Sequence, residues 1–153
     1  MAQAKFRYRL QKILEIKIKA EDDEKEKLAK LLAQVEHEKQ VKAQLQAKLA
    51  AVRVELKERQ QNGTLDIQAL RFFPQHIKYL ENQIINQDLR LKELDIRVGE
   101  QRQNLLKAAQ ERKTYEKHKE SSREAWMAEQ DAAEAKMLDE LATLKFARES
   151  AIE

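Results

Sequence analysis

The sequence predicts an all-α fold: a long antiparallel two-helix coiled-coil hairpin that forms one domain over residues 1–153. Charged residues make up 37% of the chain and aromatic residues only 5%, a composition typical of long helices and coiled coils. Two stretches carry apolar residues at alternating steps of three and four, the spacing of a heptad seam. The only proline and the only Asn-Gly dipeptide stand between these stretches, so each apolar stripe can cover the other.

The first helix is predicted over residues 5–61, because no glycine or proline occurs there. Its seam consists of Leu28, Leu31, Val35, Leu45, Leu49, Val52 and Leu56. The apolar residues of its first turns spread over about 200° of the circumference, which is wider than one partner helix covers. They are Leu10, Ile13, Leu14, Ile16, Ile18 and Ala20. We therefore expect surplus apolar surface at this end of the hairpin.

The connector between the helices is predicted over residues 62–73. Asn62 and Gly63 tolerate the left-handed conformation that ends a helix. Pro74 is expected in the first turn of the second helix, where a missing N–H leaves no hydrogen bond unmade. The connector is rich in apolar residues for a loop, namely Leu65, Ile67, Leu70, Phe72 and Phe73. It therefore either folds back on the tip of the hairpin or contacts a partner.

The second helix is predicted over residues 74–148. Its seam consists of Ile77, Leu80, Ile84, Leu91, Leu94, Val98 and Leu105, with Gln87 and Gln101 at two polar positions. Gly99 is either a hinge or a tolerated glycine that costs about 1 kcal/mol of helix stability.

An antiparallel pairing about the connector makes two specific predictions. It places Glu21 beside Arg112, where we expect an ion pair in a seam that has become polar. It also brings Phe6 and Tyr8 to Trp126, where the first helix begins.

Residues 127–150 extend past that point by about 36 Å. Their large apolar residues have no helix opposite; they are Met127, Met137, Leu138, Leu141, Leu144 and Phe146. Either a partner covers this stripe or the segment is a frayed tail.

No pattern of catalysis or metal binding occurs in the sequence. The two glycines are far apart and cannot form a phosphate-binding loop. The three histidines, His37, His76 and His118, share no metal-ligand spacing and are interpreted as surface residues, so we expect no metal and no cofactor. Cysteine is absent, which leaves no thiol chemistry and no disulfide framework. The sequence therefore predicts a protein that is not an enzyme.

Residues 5–19 carry six basic side chains and one acidic side chain. This positive charge raises two possible partners other than protein, namely DNA and a membrane surface. A basic helix that leads into heptads is the arrangement of a bZIP DNA-binding protein. The short tract, its interleaved isoleucines and the lack of a base-reading asparagine pattern argue against nucleic acid. A lysine-rich amphipathic end also suits a membrane surface. No apolar run approaches the ~18–20 residues of a membrane span, so we expect a cytoplasmic protein with at most peripheral membrane association.

Three passages carry a resemblance: KFRYRLQKILE at residues 5–15, FPQHIKYLE at 73–81 and KMLDELA at 136–142. The first resembles the Phe-x-Phe/Tyr-Arg-Leu-x-x-Leu/Ile-Leu start of the flagellar export protein FliJ family. The second is similar to the aromatic-containing segment that leads into that family's second helix. The third resembles its Lys-x-x-Asp-Glu-Phe/Leu-Ala signature. Leu141 stands where an aromatic residue is common in the family, and His76 stands where an apolar residue is expected.

The resemblance implies a hairpin similar to the central stalk subunit of rotary ATPases, inserted into the hexameric ring of the flagellar type III export ATPase. It also implies contact with the cytoplasmic domain of the membrane export gate and escort of empty export chaperones. These partners place the chain at the inner face of the cell membrane, at the flagellar base. The alternative is a structural coiled coil that only spaces or dimerises its partners.

The same resemblance assigns two sets of binding residues. Contact with the ATPase ring is assigned to Phe6, Arg7, Tyr8, Leu10, Ile13 and Leu14, and to Met137, Leu138, Leu141 and Leu144. Contact with the export gate is assigned to Phe72, Phe73, His76 and Leu80. Each set has a structural alternative, because the N-terminal residues can pack on Trp126 and the connector can pack on the tip. Whether the free chain is a monomeric hairpin or a parallel dimer of extended helices stays open.

Overall fold

A computed structural model describes residues 5–152 and confirms the all-α class. Helix α1 spans Gln11–Asn62 and helix α2 spans Ile67–Ile152, and the two pack against each other without any strand among the described residues. Two compact units arise from this pairing. The central unit comprises Asp22–Leu106, and the terminal unit comprises, among the described residues, 5–21 and 107–152. Neither helix contains, within the described range, an apolar stretch of the length that crossing a membrane requires.

The core of the central unit is a single antiparallel seam. Its buried apolar residues are Leu49, Ala69, Phe73, Leu80, Leu94 and Val98. Gln87 and Gln101 are also buried, and each side-chain amide donates to a glutamate on α1. The Nε2 of Gln87 donates to the backbone oxygen of Glu38 at 3.0 Å and also to the Glu38 carboxylate. The Nε2 of Gln101 donates in the same way to the backbone oxygen of Glu24, at 3.1 Å, and to the Glu24 carboxylate. These hydrogen bonds satisfy amides that burial would otherwise leave without water.

The terminal unit has a polar seam, as the sequence predicts. Arg112 donates from Nε to the carboxylate of Glu21, so the predicted ion pair is confirmed. The rings of Phe6 and Trp126 lie 5.9 Å apart between centroids, which confirms that predicted contact. The chain therefore pairs in the antiparallel direction in this unit as well.

The start of α1 differs from the prediction. Residues 5–10 are not helical, and α1 begins at Gln11 rather than near residue 5. A turn closes this segment, because the N–H of Gln11 donates to the backbone oxygen of Tyr8 at 3.1 Å. Phe6 and Tyr8 lie two residues apart and would point to different sides of a helix. The non-helical backbone lets both side chains pack on α2.

Gly63 ends α1 as predicted. Its φ of 66° lies in the left-handed region, and the N–H of Thr64 donates to the backbone oxygen of Arg59 at 3.0 Å. The helical structure resumes after only a few residues, so the connector is much shorter than the predicted 62–73.

The start of α2 also differs from the prediction. The helix begins at Ile67, and Pro74 lies inside it rather than in its first turn. Asp66 caps the helix, because its Oδ1 accepts the N–H of Ala69 at 2.7 Å. Proline has a φ compatible with a helix and removes one hydrogen bond. Burial of Ala69 and Phe73 against α1 offsets that loss, so the seam extends upstream of the proline.

Helix α2 runs through Gly99 without interruption, and a Cβ placed there would meet nothing within 4 Å. The structure thus fits a tolerated glycine. The helix continues to Ile152, four residues past the predicted end. Every residue from 127 to 152 is exposed, and we call this segment the helix tail.

Candidate partner-binding surfaces

The non-helical segment, residues 5–10, is held on α2 by Tyr8. The Tyr8 side chain is 8% exposed, and its Oη lies 2.7 Å from Nδ1 of His118 and 3.4 Å from the backbone oxygen of Tyr115, to which it can donate. The rings of Tyr8 and His118 also lie 5.5 Å apart between centroids. The sequence predicted Tyr8 beside Trp126 and a solvated His118. The antiparallel pairing places Tyr8 near residue 125, about two helical turns from His118, so it did not predict this contact. The contact arises because residues 5–10 are not helical.

A cavity of about 400 Å³ lies beside this contact in the terminal unit. Its walls are formed by Phe6, Arg7, Tyr8, Arg9, Leu10, His118 and Ser122. Arg7 and Arg9 are exposed and carry charge at its edge, while Phe6 and Leu10 are half-buried. The cavity therefore offers an apolar floor with a basic rim, which suits a partner side chain that is apolar or acidic.

The predicted ring-contact residues of the N-terminal end divide by exposure. Arg7 is exposed, and Ile13 keeps 38% of its surface exposed. Leu14 is only 3% exposed and Tyr8 is buried, so both support the surface from beneath. Ile16 was not assigned to a site, yet it is 63% exposed, more than Ile13.

Two groups of charged side chains form pairs elsewhere in the terminal unit. Lys17 Nζ lies 2.9 Å from Oε2 of Glu111, and hydrogen bonding to that carboxylate raises the pKa of Lys17. Arg112 donates hydrogen bonds to the carboxylates of both Glu116 and Glu21. These bonds raise the pKa of Arg112, and the bond to Glu116 has the larger effect. Both side chains therefore stay cationic throughout the physiological pH range.

The helix tail presents the four other predicted ring-contact residues to solvent. Met137 is 61% exposed, Leu138 60%, Leu141 52% and Leu144 62%. At 100° per residue these four positions fall within about 120° of the helix circumference, so they form one stripe. The exposed Met127 and Ile152 lie on the same stripe.

The predicted gate-contact residues lie in the central unit at the start of α2. Phe72 is 57% exposed and stacks on His76, with 5.2 Å between ring centroids. Tyr79 continues the stack at 6.4 Å from His76 and is 58% exposed, although the sequence did not assign it. Its position one helical turn after His76 was the available signal. Phe73 and Leu80 are each 3% exposed and belong to the seam beneath the stack.

Arg59 completes this surface. Its guanidinium carbon lies 5.3 Å from the centroid of the Phe73 ring, within the range of a cation–π contact. Among residues 5–152, no three His, Cys, Asp or Glu side chains are grouped as a metal site requires.

Comparison with known proteins gives one match. The family model described as "Flagellar FliJ protein" matches residues 6–151. This range includes the N-terminal surface, by which we mean the cavity and the exposed side chains of residues 6–16, and it also includes the aromatic stack and nearly all of the helix tail. No curated protein and no solved structure matches the chain.

Proposed function

The chain belongs to the FliJ family of non-catalytic flagellar export components, and we propose that it is the stalk that inserts into the export ATPase hexamer and promotes its assembly. The single observation that carries this proposal is the helix tail, whose apolar stripe has no cover within the described chain. A large apolar stripe on a stable helix indicates a protein partner.

The N-terminal surface supports the same proposal. Arg7 and Arg9 line a cavity beside exposed Ile13 and Ile16, so apolar and basic groups are available together. A ring interior that offers acidic and apolar groups would complement both. A stalk that binds only the assembled ring stabilises the ring by mass action, and the ATP chemistry stays in the ring.

Addition of the purified chain to its export ATPase tests the proposal. At a low ATPase concentration, we expect a larger hexamer fraction and faster ATP hydrolysis. The variant Leu138→Glu with Leu141→Glu should stimulate hydrolysis at least about tenfold less than the native chain, because charges replace the apolar contacts.

Two controls accompany this experiment. Thr143→Glu with Ser150→Glu puts the same charges on the opposite face of the tail and should keep the stimulation. Truncation after Gln130 should remove it. Full stimulation by the truncated chain would exclude the tail from ring contact, and no stimulation by the native chain would exclude the stalk.

Contact with the export gate is proposed for the aromatic stack of Phe72, His76 and Tyr79. Exposed aromatic rings that are held in place by their neighbours bind with little loss of side-chain entropy. Phe73 and Leu80 are buried, and the Phe73 ring lies 5.6 Å from that of Phe72 between centroids, so we propose a supporting role for them rather than direct contact with the gate.

The gate proposal is tested by affinity for the purified cytoplasmic domain of the gate. Phe72→Ala with His76→Ala should weaken binding at least about tenfold. The matched control is Ile85→Ala with Leu89→Ala, which removes side chains that are 56% and 59% exposed on another face of α2. Equal losses from both variants would contradict a site at the stack.

Escort of export chaperones and a position at the inner face of the membrane complete the proposal. Both rest on family membership, and both follow from the partners rather than from a surface of this chain. The alternative function is a structural coiled coil that spaces or dimerises partners. It predicts that the native chain leaves the hexamer fraction and the hydrolysis rate unchanged.

A further inference from the structure

The helix tail has a sequence symmetry that neither proposed surface uses. Positions that alternate by four and three form one stripe: Met127, Asp131, Glu134, Leu138, Leu141, Lys145, Arg148 and Ile152. All of them are exposed. By chemical character the stripe reads apolar, acid, acid, apolar, apolar, base, base, apolar. When the stripe is read in the opposite direction, apolar residues fall on the same positions, and basic residues fall where acidic ones stood.

We propose that the tails of two copies of this chain pair in antiparallel orientation about a twofold axis between Asp139 and Glu140. Such an axis brings Leu138 of one copy to Leu141 of the other. It brings each acidic position of one copy to a basic position of the other, Asp131 to Arg148 and Glu134 to Lys145. It also brings Met127 to Ile152, so every layer of the stripe is matched.

The edges of the stripe obey the same symmetry. Met137 and Leu144 flank it on one side and are 61% and 62% exposed. In the antiparallel pair, Met137 of one copy lies opposite Leu144 of the other. On the other side, Ala135 lies opposite Ala142, and these small side chains allow the helices to approach closely. Six unpartnered apolar residues of each copy are thus covered together.

Charged side chains already pair between the two helices in the terminal unit. Arg112 pairs there with Glu21, and Lys17 pairs with Glu111. The tail residues have no such partner within one copy: among the described residues, Asp131, Glu134, Lys145 and Arg148 form no ion pair. A second copy in antiparallel orientation supplies four ion pairs.

The parallel orientation is disfavoured by the same residues. It would place Asp131 on Asp131, Glu134 on Glu134, Lys145 on Lys145 and Arg148 on Arg148. Like charges in facing positions oppose association. The charges therefore select the direction of the pair, while the apolar layers drive its formation.

The dimer stands apart from the proposed stalk function, because it concerns the chain alone. If the stalk proposal also holds, the ring and the second copy compete for Leu138 and Leu141. The dimer would then be a storage form that releases the stripe when the ring binds it.

Charge exchange tests the pairing by sedimentation equilibrium of the purified full chain. At about 100 µM, the native chain should approach twice its 18.0 kDa mass. Asp131→Lys with Glu134→Lys, and separately Lys145→Glu with Arg148→Glu, should each weaken self-association about 100-fold, since four attractions become repulsions. An equimolar mixture of these two variants should dimerise, and so should a chain that carries all four changes.

A spin-label distance tests the orientation. The chain has no cysteine, so Glu140→Cys and Ala128→Cys each provide one label site away from the stripe. In the antiparallel dimer the labels at 140 should lie about 10–20 Å apart and those at 128 about 35 Å apart. Equal short distances at both sites would overturn the orientation.

Three other outcomes would overturn the proposal. A native chain that stays monomeric at this concentration has no such pair. A dimer that all charge variants preserve forms through another surface. Failure of the two charge variants to dimerise when mixed removes the pairing of acidic with basic positions. None of these results bears on ATPase stimulation, so the stalk proposal is tested independently.

Discussion

Leu80 and Leu94 in the central unit are 3% and 5% exposed, whereas Leu138 and Leu141 in the helix tail are 60% and 52% exposed. All four leucines belong to apolar stripes of heptad spacing in one continuous helix. The difference lies in what faces them, because α1 covers the first pair and nothing in the described chain covers the second. A heptad stripe therefore specifies that a partner helix is needed without specifying which chain supplies it.

The polar residues of the two stripes also differ in whether a partner in the chain covers them. In the central unit, the amide of Gln87 donates to the backbone oxygen and the carboxylate of Glu38. In the tail, Asp131 and Glu134 remain in solvent. A polar layer whose partners lie within the chain fixes the register of the hairpin, and one that has only water as a partner is available to a second molecule.

Truncation of a leucine should give the largest difference in stability between the central seam and the tail stripe. Leu80→Ala should lower the free energy of unfolding by about 2–3 kcal/mol, because a cavity replaces buried methyl groups. Leu138→Ala should change it by less than about 0.5 kcal/mol. Urea unfolding followed by circular dichroism, at a protein concentration that keeps the chain monomeric, measures both values. Equal losses would mean that the tail is covered in solution.

A buried polar layer should give the next largest effect. Gln87→Leu should cost about 1–2 kcal/mol, because the Glu38 carboxylate loses its donor. The double variant Gln87→Leu with Glu38→Leu should recover at least native stability, since an apolar layer leaves no group unsatisfied. Glu134→Leu in the tail is the matched control and should not lower the urea midpoint of the monomer. A double variant as unstable as the single one would refute this account of the layer.

The two glycines should respond in opposite directions. Gly63→Ala should destabilise the chain by about 1 kcal/mol, since only glycine adopts a φ of 66° without strain. Gly99→Ala should stabilise it by about 0.5–1 kcal/mol, since the helix continues there and nothing lies within 4 Å of the new Cβ. Thermal unfolding of both variants checks the signs. A destabilising Gly99→Ala would indicate that Gly99 is not a helical residue in solution.

The Lys17–Glu111 pair should give the smallest effect. Hydrogen bonding to Glu111 raises the pKa of Lys17 above its ordinary 10.5, so the pair stabilises the fold below pH 10.5 and loses that contribution as the pH rises further. Glu111→Gln should lower Tm by about 1 °C at pH 8. The difference from the native chain should fall towards zero at higher pH. Glu149→Gln in the tail, where no ion pair forms among the described residues, should leave Tm unchanged at both pH values.

Much of the fold could be predicted because the relevant signals are local or periodic. The seam residues, the turn at Gly63 and the Glu21–Arg112 pair all follow from heptad spacing and from one glycine. The helix starts could not be predicted in the same way. Pro74 is a strong local signal for a first turn, yet burial of Ala69 and Phe73 against α1 places the start of α2 at Ile67. Tertiary packing thus outweighs one missing hydrogen bond.

The candidate sites were predictable to a lesser degree. Their residues could be found from apolar character and spacing, but exposure depends on the facing helix. Leu14, Phe73 and Leu80 are buried in the seam, whereas the neighbouring Ile16 and Tyr79 are the exposed side chains. A difference of one or two residues in position decides between seam and surface on a helix, because successive side chains are rotated by about 100°.

The sequence by itself determined that this protein has two long helices with heptad stripes and a turn between them, because heptad periodicity and one left-handed glycine are properties of the local chain. The tertiary structure alone decided which apolar residues are covered, that residues 5–10 leave the helix to place Tyr8 on His118, and that the stripe of the tail faces solvent. The physical reason is that burial belongs to a pair of surfaces. An apolar stripe on one helix predicts that a second surface covers it, and only the position of the other helix shows whether this surface is present.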